Sequence, residues 1–213
     1  MIDEVVNSEI FSNLAYAIII ILISIAVGKY MNNKIKLNFE INKATIISAL
    51  LYGLLIFAIT HLIGMFLISI SEYFQIPIDD KVKIIGISNI ILFALVTIII
   101  APICEEIIFR YGIYEFIKSK FNMIVSIIFT SVVFSVIHFY SLSGTIILVI
   151  LGLLMSIVYI KKNRNILYPI IAHLIFNLFA FINGMFSIGY EIWLIIDIAL
   201  IVITVLVIKT RKL

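Results

Sequence analysis

The chain has 213 residues, 64% of them apolar and 13% charged, with a net charge of +3. Soluble domains are roughly half apolar and a quarter charged, so this composition excludes an ordinary water-soluble globule, whose interior would be too small for so much Ile, Leu, Val and Phe. The modest positive charge forms no nucleic-acid patch, and the single cysteine, Cys104, excludes an internal disulfide framework without indicating a redox compartment.

Apolar runs fall at 11–29, 44–70, 84–109, 122–140, 143–160, 167–186 and 190–208. A spanning helix needs about 20 such residues and satisfies its backbone polar groups within one segment, whereas a barrel strand needs about 10. The expected fold class is therefore all-α: a polytopic membrane bundle of seven transmembrane helices, with eight as the alternative. No internal repeat, low-complexity tract or soluble linker interrupts the chain, so residues 1–213 read as one domain. The opening Met1-Ile2-Asp3-Glu4 is acidic where a cleavable signal peptide would be basic, so the first run is expected to be a retained span.

The loops carry their bases alternately. Lys29, Lys34, Lys36 and Lys43 flank the first link; Arg110, Lys118 and Lys120 lie in the third; Lys161, Lys162 and Arg164 lie in the fifth; Lys209, Arg211 and Lys212 end the chain. The links near Ser141–Gly144 and at 187–190 carry no base, and the second link, 71–83, sets Lys81 and Lys83 against Glu72, Asp79 and Asp80. Thirteen of the 15 basic residues thus share one side. Lys and Arg are retained on the cytoplasmic face, which puts the N-terminus outside and the C-terminus in the cytoplasm.

Ionisable groups inside a span cost about 2.5–3.5 kcal/mol each on insertion scales and are functional suspects. The segment Ala101-Pro102-Ile103-Cys104-Glu105-Glu106-Ile107-Ile108-Phe109-Arg110 is the clearest case. Pro102 lacks an amide hydrogen, so a kink or a fresh helix start is expected there. Glu106 and Arg110 stand four apart on one helical face and can pair. Glu105 points about 100° away and is left for another partner. The plainer alternative is a solvated ion pair at a helix end.

Two further groups lie on later spans. In Phe134-Ser135-Val136-Ile137-His138 the histidine stands one turn after the phenylalanine, and His173 and Asn177 are four apart on one face. Here too there are plainer readings: an interfacial histidine, and hydrogen bonds that join helices at about 0.6 kcal/mol per contact. Position couples the groups. The midpoint between Glu105 and His138 is Phe121-Asn122, beside Lys118-Ser119-Lys120. A hairpin turning there sets both residues about 25 Å from the turn, and His173 about 13 Å beyond the basic turn at 161–165. All three meet at one depth if the 111–121 tip projects about 12 Å into the cytoplasm, given a core about 30 Å thick. A separate eighth helix after Pro102 also aligns Glu105 with His138 but spoils the charge alternation.

These residues, Glu-Glu-x-x-x-Arg, Phe-x-x-x-His and His-x-x-x-Asn in order on successive apolar helices, resemble the CPBP intramembrane proteases. That family includes CAAX prenyl endopeptidases and bacterial abortive-infection and bacteriocin-immunity proteins. The resemblance runs from about 101 to 180, with no departure at the motif positions. It implies an all-helical enzyme of a bacterial or archaeal cell membrane, with a cavity open to the cytoplasm and a membrane-associated or lipidated peptide as substrate. Carried over, Glu105 is the base that activates water, His138 holds the same water, and His173 and Asn177 donate to the oxyanion. Glu106, Arg110 and Phe134 support them.

The chemistry suits those roles: a carboxylate is a general base, and a carboxamide and an imidazole are oxyanion donors. Glu105, His138 and His173 also make a reasonable three-ligand zinc set with an open fourth position. The close helical histidine pair of zincins is missing and Asn177 is a poor zinc ligand, so a mechanism without cofactor is expected, with zinc as the alternative. Two rival functions stay open: a non-enzymatic immunity or scaffold protein of the same fold, and a small transporter or channel, for which repeat-related broken helices are the expected sign. Partners are lipid and peptide, with no nucleic acid; the oligomeric state is open. His61 and Asp197, each mid-span, are read as structural partners, Cys104 as an inert packed thiol, and Trp193 as packing or interface anchoring.

Overall fold

The computed structural model describes residues 2–74, 90–138, 141–186 and 188–211. Among these, seven helical rods are found: α1 (Ile2–Asn32), α2 (Lys43–Tyr73), α3 (Ile90–Lys118), α4 (Met123–Ile137), α5 (Leu142–Lys161), α6 (Leu167–Phe186) and α7 (Tyr190–Arg211). Six are long and apolar enough to cross a membrane; α4, with 15 residues, is shorter. At 1.5 Å per residue α4 spans about 22 Å against a hydrocarbon core of about 30 Å. Its far end, at His138, therefore stops short of a full crossing.

Starts are set by side-chain caps. Asn42, Asn122 and Ser141 each accept a bond from the amide three residues on, at Thr45, Val125 and Gly144. Each cap satisfies one of the amides a helix start leaves orphaned.

The expected third span, 84–109, is corrected at its end: α3 runs on to Lys118, and residues 84–89 lie outside the described residues. The eighth-helix alternative fails because the helix passes through Pro102 without a break. What Pro102 does is change the winding. Leu95–Ile100 and Ile107–Tyr114 are π-helical, on either side of the α-turns Ala101–Glu106, and the Ala101 amide reaches back five residues to the Val96 carbonyl. A proline ring clashes with the carbonyl four residues earlier and offers that carbonyl no donor. A wider turn before the ring relieves both problems, and such turns recur at functional sites.

Small residues let the helices approach closely. A Cβ on Gly152 of α5 would lie 3.0–3.2 Å from three atoms of Ser131 on α4, and one on Gly53 of α2 would lie 3.1 Å from the Ala172 Cα of α6. Close packing of this kind is a main source of association between helices in lipid, where apolar contact alone drives nothing. A core of Ala49, Ile56, Phe109, Phe134, Leu151, Met155 and Ala172 joins α2 to α6, while Ile19, Ile128, Ile195 and Ile203 are exposed, as side chains facing lipid must be.

All the helix ends next to basic links lie together. α1 and α3 run parallel, with Tyr16 beside Glu105 and Val27 beside Gly112. At the basic end the first and fifth links are stitched: Asn38 pairs with Asn165 in an isolated parallel bridge, Asn38 donates to the Asn163 carbonyl, and Asn165 donates to the Glu40 carbonyl. Asn163 and Arg164 take the left-handed backbone there, at φ 55° and 57°, a conformation unfavourable for most side chains that these bonds hold in place.

Candidate active site

Glu105 and Glu106, adjacent on α3, are both buried and face different partners. Glu106 Oε1 accepts from Arg110 Nη1 and from His173 Nδ1, each at 2.9 Å. Arg110 is wholly buried; its Nη2 donates to the Gly152 carbonyl at 3.3 Å and its guanidinium lies 5.1 Å from the centre of the Phe134 ring. The i,i+4 pairing expected of Glu106 and Arg110 is present.

Glu105 turns the other way, as its position one residue earlier requires. Its Oε1 accepts from the Tyr16 hydroxyl at 2.7 Å and lies 3.5 Å from His138 Nε2, while its Oε2 lies 3.7 Å from His173 Nε2. Both imidazole separations exceed the 2.7–3.2 Å of a direct bond. His138 Nδ1 bonds to the Phe134 carbonyl at 2.7 Å, so this nitrogen carries the hydrogen and a neutral ring presents a lone pair at Nε2. The Phe134 ring packs against both imidazoles, 4.7 Å from His138 and 5.5 Å from His173 between centres. Asn177 Nδ2 donates to the Thr97 carbonyl at 2.8 Å, in the π-helical stretch before Pro102, and a carboxamide has a second hydrogen to offer.

Glu105, His138, His173 and Asn177 line one cavity of about 400 Å³, along with Tyr16 and Phe134. The helices thus bring together all four residues singled out as reactive, with Glu106 and Arg110 behind them. Tyr16 was missed: a lone hydroxyl in an apolar first span carries no motif, and only the parallel packing of α1 on α3 brings it to Glu105. The cavity also departs from expectation in direction. It extends to Phe93, Ala180 and Gly184, near the helix ends remote from the basic links, rather than towards them.

Other conspicuous residues lie elsewhere. His61 Nδ1 is 2.7 Å from Asp197 Oδ2, with Phe57 stacked on the ring and Trp193 edge-on to it; none of these residues lines the cavity. Cys104 is buried and also does not line it.

For the zinc alternative, no group of three or more His, Cys, Asp or Glu side chains among the described residues clusters to hold a metal ion. Glu105 sends each oxygen to a different imidazole, and one of those oxygens is already bonded to Tyr16. The donors present do not make a three-ligand set.

Residues 87–179 match the family model described as type II CAAX prenyl endopeptidase Rce1-like. That segment carries all three motifs, and the family is the one they resemble. An uncharacterized protein of Mycoplasma capricolum subsp. capricolum is 26% identical over 186 residues, which cover 80% of this chain and 54% of the relative. The chain therefore spans about half the length of the curated relative it matches. No solved structure matches. With its long apolar helices the protein is an integral membrane protein, and its residues 87–179 are similar to type II CAAX prenyl endopeptidases.

Proposed function

We propose that this protein is an intramembrane endopeptidase in which Glu105 activates water to hydrolyse a peptide bond of a membrane-associated or lipid-modified peptide. The observation that carries the reading is the spacing around Glu105. Two imidazole nitrogens face its two oxygens at 3.5 and 3.7 Å, too far to bond directly and suited to a water held between the carboxylate and the His138 lone pair.

From that position the water oxygen attacks the peptide carbonyl carbon as Glu105 takes its proton. The carbonyl oxygen becomes an oxyanion, to which Asn177 donates through its second amide hydrogen. His173, its Nδ1 bonded to Glu106, turns Nε2 towards the same oxyanion. Collapse breaks the C–N bond, and the proton on Glu105 passes to the departing amine. Tyr16 holds Glu105 in place, and Arg110 holds Glu106. Charge-stabilising donors of this kind act most strongly where water is excluded, and Phe93, Phe134, Leu148, Phe176 and Phe181 give the cavity apolar walls.

The test is comparative peptidomics of membranes containing wild-type protein or Glu105→Gln. General-base catalysis contributes about 10²–10⁴-fold, so a precursor should accumulate in the variant. No difference between the two, at equal protein level, would leave the scaffold reading standing.

A further inference from the structure

Among the described residues Glu105 has a packed side and a cavity side; a separate pocket of about 330 Å³ at the basic end, against Gly28, Ile107 and Tyr111, does not reach it. Towards the basic links, Glu106 and Arg110 are wholly buried, and Met31, Tyr111, Tyr114, Tyr159, Ile166 and Ile170 pack into one cluster. Beneath them Glu115 accepts from Tyr159 at 3.1 Å and from Arg164 at 3.2 Å, the Tyr111 hydroxyl donates to the Ile35 carbonyl, and the bridged links at Asn38 and Asn165 close the end. In the other direction the cavity continues past Thr97 and Ala180 to Phe93 and Gly184. Twelve residues of α3 separate Glu105 from Phe93, about 18 Å at 1.5 Å per residue.

Which face of the membrane this serves follows from charge. With Arg110 buried inside α3, the links and helix ends at the packed end and the C-terminal tail carry 12 of the 15 Lys and Arg residues, and basic links stay in the cytoplasm. Resting on the peptidase reading above, we infer that the site takes its substrate from the non-cytoplasmic face: an exported or membrane-anchored polypeptide whose scissile bond enters, extended, from the outer half of the bilayer. About five residues of extended chain reach from the cavity end to Glu105 at 3.3 Å each. The aromatic walls suit apolar side chains along that stretch, and polar groups gather only at the reacting end. A lipidated C-terminus carried on the cytoplasmic leaflet would meet the packed end instead.

Accessibility tests this without any turnover. Ala180→Cys and Gly184→Cys, each in a Cys104→Ala background of the full chain, are exposed to a membrane-impermeant charged maleimide in intact cells and in inside-out vesicles. Ser119→Cys, at the basic end, serves as the opposite marker. The expected result is labelling at 180 and 184 in intact cells and labelling at 119 only in inside-out vesicles, unchanged when Glu105→Gln is added. Labelling at 180 and 184 only in inside-out vesicles together with 119, or at neither face in protein that remains monodisperse in detergent, overturns the inference. Absence of peptidase activity in the wild-type protein, with the labelling pattern as expected, would overturn the proposed function and leave the orientation standing.

Discussion

His138 donates from Nδ1 to the main-chain carbonyl of Phe134, one turn earlier on the same helix, at 2.7 Å. That bond locks the ring with Nε2 towards Glu105, 3.5 Å from Oε1, and makes this nitrogen an acceptor in the neutral ring. The helix supplies the orientation from its own backbone, where many catalytic histidines depend on a carboxylate for it. His138→Gln keeps a polar group but not the locked acceptor. Peptidase activity should fall by about 10²-fold or more, the scale of a lost acid–base contact, while thermal unfolding in detergent stays near that of the wild type. Retained activity would remove His138 from the mechanism.

Tyr16 donates to Glu105 at 2.7 Å, well inside hydrogen-bond distance. A bond to a charged group contributes about 1.5–3 kcal/mol, so Tyr16→Phe should lower kcat by about 10- to 100-fold with KM little changed. Steady-state kinetics on a cleaved reporter peptide checks this. A rise in KM alone would make Tyr16 a substrate contact.

Glu106 and Arg110 are a buried pair, each with one polar atom (Glu106 Oε2 and Arg110 Nε) lacking a partner among the described residues. Removing one member of such a pair costs about 3–5 kcal/mol because the other charge is stranded. Glu106→Gln should therefore lower the unfolding temperature markedly, and Glu106→Gln with Arg110→Met should recover much of it. Activity should stay lost in the double variant, since His173 no longer has its carboxylate. If the double variant is as unstable as the single, the pair is not what holds α3 in place.

His61, partly exposed, and Asp197, wholly buried, form a second pair away from the cavity. His61→Ala should destabilise by a similar order, about 3 kcal/mol, while activity per folded molecule stays unchanged. Thermal melts and active-site titration separate the two effects. A specific loss of activity at full stability would make this pair part of the function.

The donor arrangement around Glu105 predicts that peptidase activity survives exhaustive chelation and that purified active protein holds no stoichiometric metal. Elemental analysis beside the activity assay decides it. Activity lost on chelation and restored by zinc alone would reinstate Glu105, His138 and His173 as ligands.

Much of this was legible in the chain itself. Apolar run length decides helix against barrel strand, because in lipid the backbone must satisfy itself. Spacing of four decides that Glu106 meets Arg110 and that His173 and Asn177 share a face, because a helix turns by a fixed angle per residue. The alternation of Lys and Arg decides that the basic helix ends lie on one side. The winding of α3 around Pro102, its extension to Lys118, the approach of Tyr16 and the direction of the cavity were not legible. Each depends on how helices distant in sequence pack against one another, through contacts such as Gly152 on Ser131, and a local pattern of residues carries no record of those distances.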